Sequence, residues 1–184
     1  MRTMKEYQID LKYLSPATTY EFDYVLGNDF FERIDGLEVG KGKVNVSLSV
    51  VCVSSAFELD FRIKGTVVVT CDRCLEELEI PVETINRIIV TFGETYSEIS
   101  DERIVISEDE GFINVAWYMY EFIALAIPIK HVHEPGDCNE VMASKLREFC
   151  VDERVEEDDN SGLENRFRAT DPRWDALRNL TGDN

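Results

Sequence analysis

The run Val44-Asn45-Val46-Ser47-Leu48-Ser49-Val50-Val51-Cys52 places an apolar residue at every second position, and this alternation decides the class of fold. Such a period is typical of a β-strand that buries one face and exposes the other. A second alternating run, residues 57–63, follows at once and continues past Gly65 to Thr70. The dipeptide Ser54-Ser55 separates the two runs, so the sequence predicts a β-hairpin here.

Segments on either side of this hairpin also have β character. Two precede it, residues 7–13 and 20–26, and both alternate apolar and polar positions. Three follow it, residues 78–82, 88–92 and 103–106. Because no helix is predicted between these strands, an antiparallel sheet or open barrel of about six strands is favoured over a parallel βαβ fold.

Two features modify the prediction for the second half of this sheet, a proline and an acidic stretch. Proline cannot donate a ladder hydrogen bond, so Pro81 predicts a sheet edge or an interruption of its strand. The acidic stretch from Glu94 to Glu102 is typical of an exposed loop between two strands.

Residues 114–127 predict a helix after the strands. Asn114 is suited to N-capping, and Pro128 disfavours helical backbone at the residue before it. The segment is apolar on nearly every side, but its roughly 14 residues fall short of the ~20 that cross a bilayer. We therefore expect a buried core helix. A second helix is predicted over residues 140–150, and the fold class is α+β.

Composition divides the chain into three parts. Residues 1–150 form the predicted α+β domain. Residues 151–170 are a predicted acidic linker without order, because so charged a stretch buries too little apolar area. Residues 171–184 predict a short amphipathic helix, with Asp171 as the N-cap and Pro172 at the first helical position.

Charge limits the kind of partner. The formal net charge of the 184 residues is −18, and residues 81–184 contain 10 Lys and Arg against 23 Asp and Glu. An acidic surface opposes contact with phosphates, so we favour a basic protein partner over direct contact with RNA. The alternative is that the acidity only keeps the protein soluble and monomeric.

The N-terminal run MRTMKEYQIDLKYL lacks the apolar stretch of a signal peptide, so we expect a cytoplasmic protein. Its five cysteines, an odd number without an export signal, are then expected to be thiols or metal ligands rather than disulfides. We expect no membrane association and no small-molecule substrate.

The spacing Cys71-x-x-Cys74 lies where one strand run ends and another begins, which is how a turn presents two thiolates to one zinc ion. A structural zinc site needs four ligands, and the other candidates lie just past the apolar helix. The predicted set is Cys71, Cys74, His133 and Cys138, with His131 as a substitute for His133. Zinc would close a loop of about 60 residues, where a cross-link removes much chain entropy. The alternative is ordinary thiols and surface histidines.

A redox dithiol is the enzymatic alternative for the same cysteine pair. Redox-active pairs stand at a helix N-terminus, where the dipole lowers the pKa of the first thiol. Here the N-terminal flank has β character, and Glu76 and Glu77 would raise a thiol pKa, so we favour metal binding. The sequence contains no phosphate-binding loop, nucleophile elbow or metalloprotease motif, so we expect no catalysis.

The two remaining cysteines have separate predictions. Cys52 continues the alternation of its strand and is expected to be a small core residue. Cys150 precedes the acidic linker and is either a stray thiol or an alternative metal ligand.

Glu121 is a carboxylate within the apolar helix, and burying it without a partner would be costly. We propose Arg73, inside the cysteine pair, as the partner in a buried ion pair. The alternative is that Glu121 lies on the one solvated edge of the helix.

Three motifs, at residues 71–75, 120–128 and 171–174, together resemble those of one family, the YceD family. Cys71-Asp72-Arg73-Cys74-Leu75 is similar to its C-x-R-C-L signature, Tyr120–Pro128 to its Glu-containing apolar helix, and Asp171-Pro172-Arg173-Trp174 to its D-P-R motif. The resemblance implies a role in accumulation of large-subunit ribosomal RNA, hence ribosome biogenesis, without catalytic activity. Many members carry a second cysteine cluster after the helix, where this chain offers His133 and Cys138.

Charge and resemblance together predict how the chain acts. We expect its acidic half to hold a basic ribosomal protein or a large-subunit assembly intermediate, while the helix that begins at residues 171–174 docks in a groove of a partner. The first alternative is a zinc-stabilised RNA-binding module, and a third reading is the redox protein. For the RNA-binding alternative, the candidate basic face is Lys41, Lys43, Arg62 and Lys64.

Overall fold

A computed structural model describes residues 4–149, and the chain divides into two units, Met1–Leu146 and Arg147–Asn184. The predicted linker, residues 151–170, and the predicted helix, residues 171–184, lie outside the described residues. In chain order the elements are a 3₁₀ turn Lys5–Tyr7, β1 Gln8–Asp10, β2 Thr19–Leu26, α1 Asn28–Ile34, β3 Lys41–Val53, β4 Ala56–Thr70, β5 Glu77–Gly93, β6 Ser97–Ser100, β7 Arg103–Ser107, β8 Phe112–Asn114, α2 Ala116–Leu125 and α3 Glu140–Phe149.

A six-stranded sheet in the order β2-β3-β4-β5-β7-β6 forms the body of the fold. The predicted hairpin is confirmed, since β3 pairs with β4 from Val53 opposite Ala56 to Lys41 opposite Val68. Ser54 turns the chain in the left-handed region, at φ 57°. Within the described residues β2 and β6 are the two edges of the sheet, so it is open rather than closed into a barrel. A separate ladder joins β1 to β8.

Alternation in the sequence becomes alternation of burial across the sheet. Odd-numbered residues of β4 and even-numbered residues of β3 and β5 face the core, because the ladders pair them in register. The opposite face carries Lys, Arg, Glu, Ser and Asn and is in contact with water. The buried side chains of the sheet are Leu26, Val44, Val46, Leu48, Val50, Phe57, Leu59, Phe61, Ile63, Val67, Val69, Ile80, Val82, Ile88, Val90, Ile104 and Ile106.

The predicted α+β class is confirmed, but the sheet is mixed rather than antiparallel. Strand β7 pairs with β5 in parallel, with Ile89 opposite Arg103, and β6 then pairs with β7 in the antiparallel sense. Residues 94–102 are exposed, as predicted, but residues 97–100 form the short strand β6 rather than a loop. Its sequence lacks the alternation of a half-buried strand, because all four of its residues are exposed.

Pro81 does not interrupt its strand, because β5 runs unbroken from Glu77 to Gly93. On one side β4 pairs with β5 throughout, with Thr66 opposite Pro81. On the other side β7 reaches only Ile89 and beyond, so within the described residues β5 has an open edge around Pro81. The missing donor of proline is tolerated at such an edge, and the edge prediction is confirmed.

Helix α2 packs on the buried face of the sheet. The ring of Phe122 meets that of Phe61 with centroids 5.3 Å apart. The N-cap is Val115 rather than the predicted Asn114, which ends β8, but Oδ1 of Asn114 accepts a hydrogen bond from the N–H of Ala116 at 3.0 Å. The hydroxyl of Tyr120 accepts hydrogen bonds from the N–H groups of Glu38 and Val39 at 3.0 and 3.2 Å, which fixes the loop after α1. The helix is therefore a core element on one side.

Its other side is exposed. Trp117 keeps 40% of its surface in water and Leu125 78%, and Glu121 between them is also exposed. Among residues 4–149, no helix combines the length and apolarity needed to cross a membrane.

The first testable consequence concerns Gly65, in the middle of β4. A Cβ at this position would lie 2.3 Å from the carbonyl oxygen of Lys43 and 2.5 Å from Cα of Val44, both backbone atoms of β3. We expect Gly65→Ala to lower the free energy of unfolding by about 1–3 kcal/mol, as overpacking does, measured by urea denaturation.

Gly40→Ala is the matched control, because a Cβ there has no atom within 4 Å. Its free energy of unfolding should stay within about 0.5 kcal/mol of wild type. Equal effects of the two substitutions would contradict the close approach of β3 and β4.

Candidate metal centre

The turn between β4 and β5 positions the first two candidate ligands. Cys71 donates its backbone N–H to the carbonyl of Glu76 at 2.8 Å, and Leu75 donates its N–H to the carbonyl of Cys71 at 2.9 Å. Leu75 has a left-handed backbone, at φ 63°. This closed turn brings both thiols inward, where Cys71 and Cys74 are 0% and 2% exposed.

The segment after α2 is attached to this turn by Asp72. The backbone N–H of Asp72 donates to the carbonyl of His131 at 2.9 Å, and Oδ2 of Asp72 accepts from the N–H of His131 at 2.8 Å. A side chain at the tip of the turn therefore aligns the chain that carries the remaining ligands.

His133 is oriented by two contacts, one on each ring nitrogen. Nδ1 lies 3.3 Å from Sγ of Cys74, and Nε2 lies 3.1 Å from the carbonyl oxygen of Glu77. When Nε2 carries the proton and donates to this carbonyl, Nδ1 has a free lone pair that points at the thiols. Zinc-binding histidines commonly use one nitrogen in this way and donate the other to a carbonyl.

Cys138 completes the cluster at the start of α3. Its Sγ lies 4.0 Å from Nδ1 of His133. The next residue, Asn139, caps the helix, because its Oδ1 accepts the N–H groups of Val141 and Met142 at 3.0 and 3.2 Å. Asn139 also donates from Nδ2 to a carboxylate oxygen of Glu76 at 2.6 Å, which attaches the cap to the cysteine turn.

The four ligand atoms of this candidate metal centre lie within 4.8 Å of one another. Zinc–sulfur bonds of about 2.3 Å and zinc–nitrogen bonds of about 2.0 Å in a tetrahedron separate the ligand atoms by roughly 3.5–3.8 Å. The two sulfur–nitrogen distances above lie on either side of this range. The residues present therefore fit a tetrahedral ion. The candidate ligands are Cys71, Cys74, His133 and Cys138.

The electrostatics of the cluster favour a bound cation. Burial raises the pKa of Cys71, but N–H groups of Cys74, His133 and Arg73 act on its sulfur and bring the pKa down to about 6. A hydrogen bond with Cys71 raises the pKa of His133, as does one with Cys74, while burial opposes them. Burial raises the pKa of Cys138. A divalent ion that displaces the protons would neutralise the crowded thiolates.

The structure also shows which of the other cysteines and histidines among the described residues lie outside the cluster. His131 does not join the cluster, because its Nε2 lies 3.4 Å from Oδ1 of Asp72 and its Nδ1 lies 3.1 Å from the carbonyl of Pro128. Cys52 is half-buried on β3, away from the four ligands. Cys150 lies outside the described residues.

A dithiol at a helix N-terminus is not the arrangement found. The turn that holds Cys71 and Cys74 leads from β4 directly into β5, so the pair does not itself begin a helix. The neighbours of the pair are a third thiol and an imidazole instead.

The prediction of a buried ion pair between Arg73 and Glu121 is wrong. Both side chains are exposed, Arg73 at the tip of the cysteine turn and Glu121 on the water side of α2. The helix is apolar enough to suggest burial all round, but it packs on one side only. Glu121 therefore lies on a solvated edge and needs no partner to offset burial.

The four basic residues of the alternative RNA-binding face do lie together. Lys43, Arg62 and Lys64 follow one another on the water face of β3 and β4, and Lys41 continues the row. Carboxylates pair with two of them: Lys41 with Glu77, and Lys64 with Glu83 at 3.1 Å. On the same face Arg87 pairs with Asp60 at 2.6 Å. The face is therefore mixed in charge rather than basic.

The sequence analysis missed three residues that position the ligands. They are Asp72, the carbonyl of Glu77 and the cap residue Asn139. Asn139 had a usable signal, because it stands directly before the predicted helix of residues 140–150 and asparagine is a preferred N-cap. The other two act through contacts between segments about 60 residues apart. The candidate partner-binding residues Asp171, Pro172, Arg173 and Trp174 lie outside the described residues.

Comparison with protein families gives a match. A family model described as Large ribosomal RNA subunit accumulation protein YceD matches residues 59–181, more than half of the chain. The matched range begins in β4 and contains all four residues of the candidate metal centre. Neither the curated proteins nor the solved structures yielded a match.

The metal centre predicts different outcomes for the two histidines. We expect the purified protein to contain one zinc per chain by elemental analysis. His133→Ala should lose this zinc, whereas His131→Ala should retain it, with an affinity lowered at most 10- to 100-fold through the loss of an outer contact.

Cobalt provides a readout that does not depend on native zinc content. The Co²⁺-loaded protein should show thiolate-to-metal absorption, which Cys74→Ser weakens and the control Cys52→Ser leaves unchanged. Equal metal content in both histidine variants would contradict the assignment of His133.

Proposed function

We propose that this chain, which belongs to the family described as Large ribosomal RNA subunit accumulation protein YceD, promotes the accumulation of large-subunit ribosomal RNA during ribosome biogenesis. The match over residues 59–181 carries the proposal. We place the protein in the cytoplasm, where ribosomal subunits assemble in bacteria, and we propose that it acts without catalysis.

The form of the candidate metal centre supports a non-catalytic role. Catalytic zinc sites keep one position open for water or substrate, whereas structural sites use four protein ligands. Here four protein ligands are at hand, and all three thiols are at most 9% exposed. We propose that zinc acts as a cross-link between the cysteine turn and the segment that enters α3.

The charge of the chain supports a basic protein partner. Residues 4–149 contain 13 Lys and Arg against 27 Asp and Glu, and the row of basic residues on the sheet is partly neutralised by glutamates. A surface of this charge attracts basic proteins and repels phosphates. We propose contact with a basic ribosomal protein, or with an assembly intermediate through such a protein.

The proposed function is tested in cells that lack the protein. We expect less large-subunit than small-subunit ribosomal RNA in these cells, and fewer large-subunit particles in sucrose gradients. Wild-type protein and Cys52→Ser should restore the ratio, whereas Cys74→Ser should not, because the loss of a ligand opens the cross-link.

Two results would contradict the proposal. One is an unchanged ratio of the two ribosomal RNAs when the protein is absent. The other is migration of the protein only at the top of the gradient, with no share in precursor fractions of the large subunit.

The C-terminal motif provides a separate prediction. Trp174, Leu177 and Leu180 are spaced at i, i+3 and i+6 and form the apolar stripe of the helix predicted over residues 171–184. A large aromatic side chain is a common anchor at interfaces. We expect Trp174→Ala to recover less large-subunit material than wild type in a pull-down. Asn179→Ala, off the predicted stripe, should recover as much as wild type. Undiminished recovery by the Trp174 variant would reject the docking role.

A further inference from the structure

Strand β6 leaves one side of its backbone without a partner among residues 4–149. It forms the end of the sheet and pairs only with β7. All four of its residues are exposed, and Ile99 keeps 66% of its surface in water. An exposed edge strand offers a row of free N–H and C=O groups to another extended segment.

Two tyrosines and two glutamates adjoin this edge. The hydroxyl of Tyr96 donates to Glu98 and lies 3.3 Å from the hydroxyl of Tyr118 on α2. Glu121 follows Tyr118 by three residues on α2, so the two side chains are neighbours on the helix surface. Burial raises the pKa of Tyr118, the hydrogen bond with Tyr96 lowers it, and the charges of Glu98 and Glu121 raise it. We name Tyr96, Glu98, Tyr118 and Glu121 the acidic edge cluster.

The segment around β6 carries an excess of negative charge, although Lys12 donates to the backbone carbonyl of Asp109 at 2.8 Å and the charge of Glu102 acts on Arg87. Residues 94–110 contain seven carboxylates and one basic residue, Arg103. The ion pairs found among residues 4–149 include neither Glu98 nor Glu121. On the water face of the sheet, by contrast, Glu83 pairs with Lys64 and Asp60 pairs with Arg87.

We propose that β6 and the acidic edge cluster bind an extended Lys- and Arg-rich segment of a protein partner. The segment adds to β6 as a further strand and places cationic side chains against Glu98 and Glu121. The faces of Tyr96 and Tyr118 add cation–π contact with the same groups. The proposal rests on the proposed function for the identity of the partner, a basic ribosomal protein, but not for the chemistry of the surface.

Charge decides between the possible occupants of this edge. A second copy of the chain would bring the same glutamates together, because a two-fold interface joins like with like. RNA would bring phosphates against seven carboxylates. A basic polypeptide satisfies both the free backbone and the unpaired charges.

The test uses a fluorescent Lys- and Arg-rich peptide with alternating Val or Thr residues, titrated with the full-length protein at low salt and followed by anisotropy. We expect binding that weakens as salt increases. Glu98→Gln with Glu121→Gln should weaken it roughly three- to tenfold, because each exposed ion pair contributes modestly. The control pair, Glu32→Gln with Glu38→Gln, removes the same charge from exposed positions beside α1 and should change affinity less than twofold.

Backbone exchange tests strand addition independently of charge. Peptide should slow the hydrogen exchange of β6 amides, and the uncharged substitution Ile99→Pro should abolish this protection, because a proline on an edge strand blocks pairing. Unchanged β6 exchange, equal weakening by the two Gln pairs, or tighter binding of a single-stranded RNA of equal charge would each overturn the proposal.

The two proposals can fail separately. If cells lacking the protein show low large-subunit ribosomal RNA but the peptide does not bind, the proposed function stands and the edge proposal falls. If the peptide binds but the ratio of ribosomal RNAs is normal, the surface is real and its partner lies outside ribosome assembly.

Discussion

The hydrogen bonding of β4 on both sides is the constraint on which the rest of the fold depends. The strand pairs with β3 over residues 56–68 and with β5 over its whole length. Such a strand cannot slip by one residue without moving all its apolar side chains from the core into water. Gly65 adds to this, because its lack of a side chain lets β3 approach closely. The register therefore fixes where β4 ends, and Cys71 is the next residue.

The candidate metal centre begins at Cys71, where β4 ends, and connects the fixed register of β4 to the helices. Helix α2 is attached to the sheet by apolar packing, and the chain that leaves it returns to the cysteine turn through Asp72 and His133. Without an ion, three buried thiols and an imidazole contribute little to stability, since thiols are weak hydrogen-bond partners. With an ion, a loop of about 60 residues is closed, and the unfolded chain loses much of its entropy.

The sequence predicts those parts of the fold whose signal is local. The period of two in β2, β3 and β4 arises because one face of each strand is buried, and the hairpin at Ser54 follows from it. Strand β6 has no such signal, because it is exposed on both faces and pairs only through its backbone. The parallel pairing of β7 with β5 depends on the same short strand. If β6 is not predicted as a strand, β7 directly follows β5, and antiparallel pairing of these two strands is the simpler expectation.

For the site, the spacing of the cysteines identifies two ligands, but it cannot choose between His131 and His133. That choice depends on Asp72, which binds the backbone and side chain of one histidine and thereby turns the other towards the thiols. The error about Glu121 has a related cause. A helix of high apolar content suggests burial on all sides, whereas the sheet covers only one, and hydropathy does not report which side.

The net charge alone does not indicate which part of an acidic protein contacts a basic partner, whereas the positions of the ion pairs give some indication. On the water face of the sheet, acidic and basic side chains alternate across strands and neutralise one another, as Arg87 does with Glu58 and Asp60. Around β6 the carboxylates have no such partners among the ion pairs of residues 4–149. Unpaired charges repel one another and cost stability in the free protein. Seven carboxylates fall within residues 94–110, beside an open strand edge, and a basic segment that covers them in the proposed complex would relieve this repulsion.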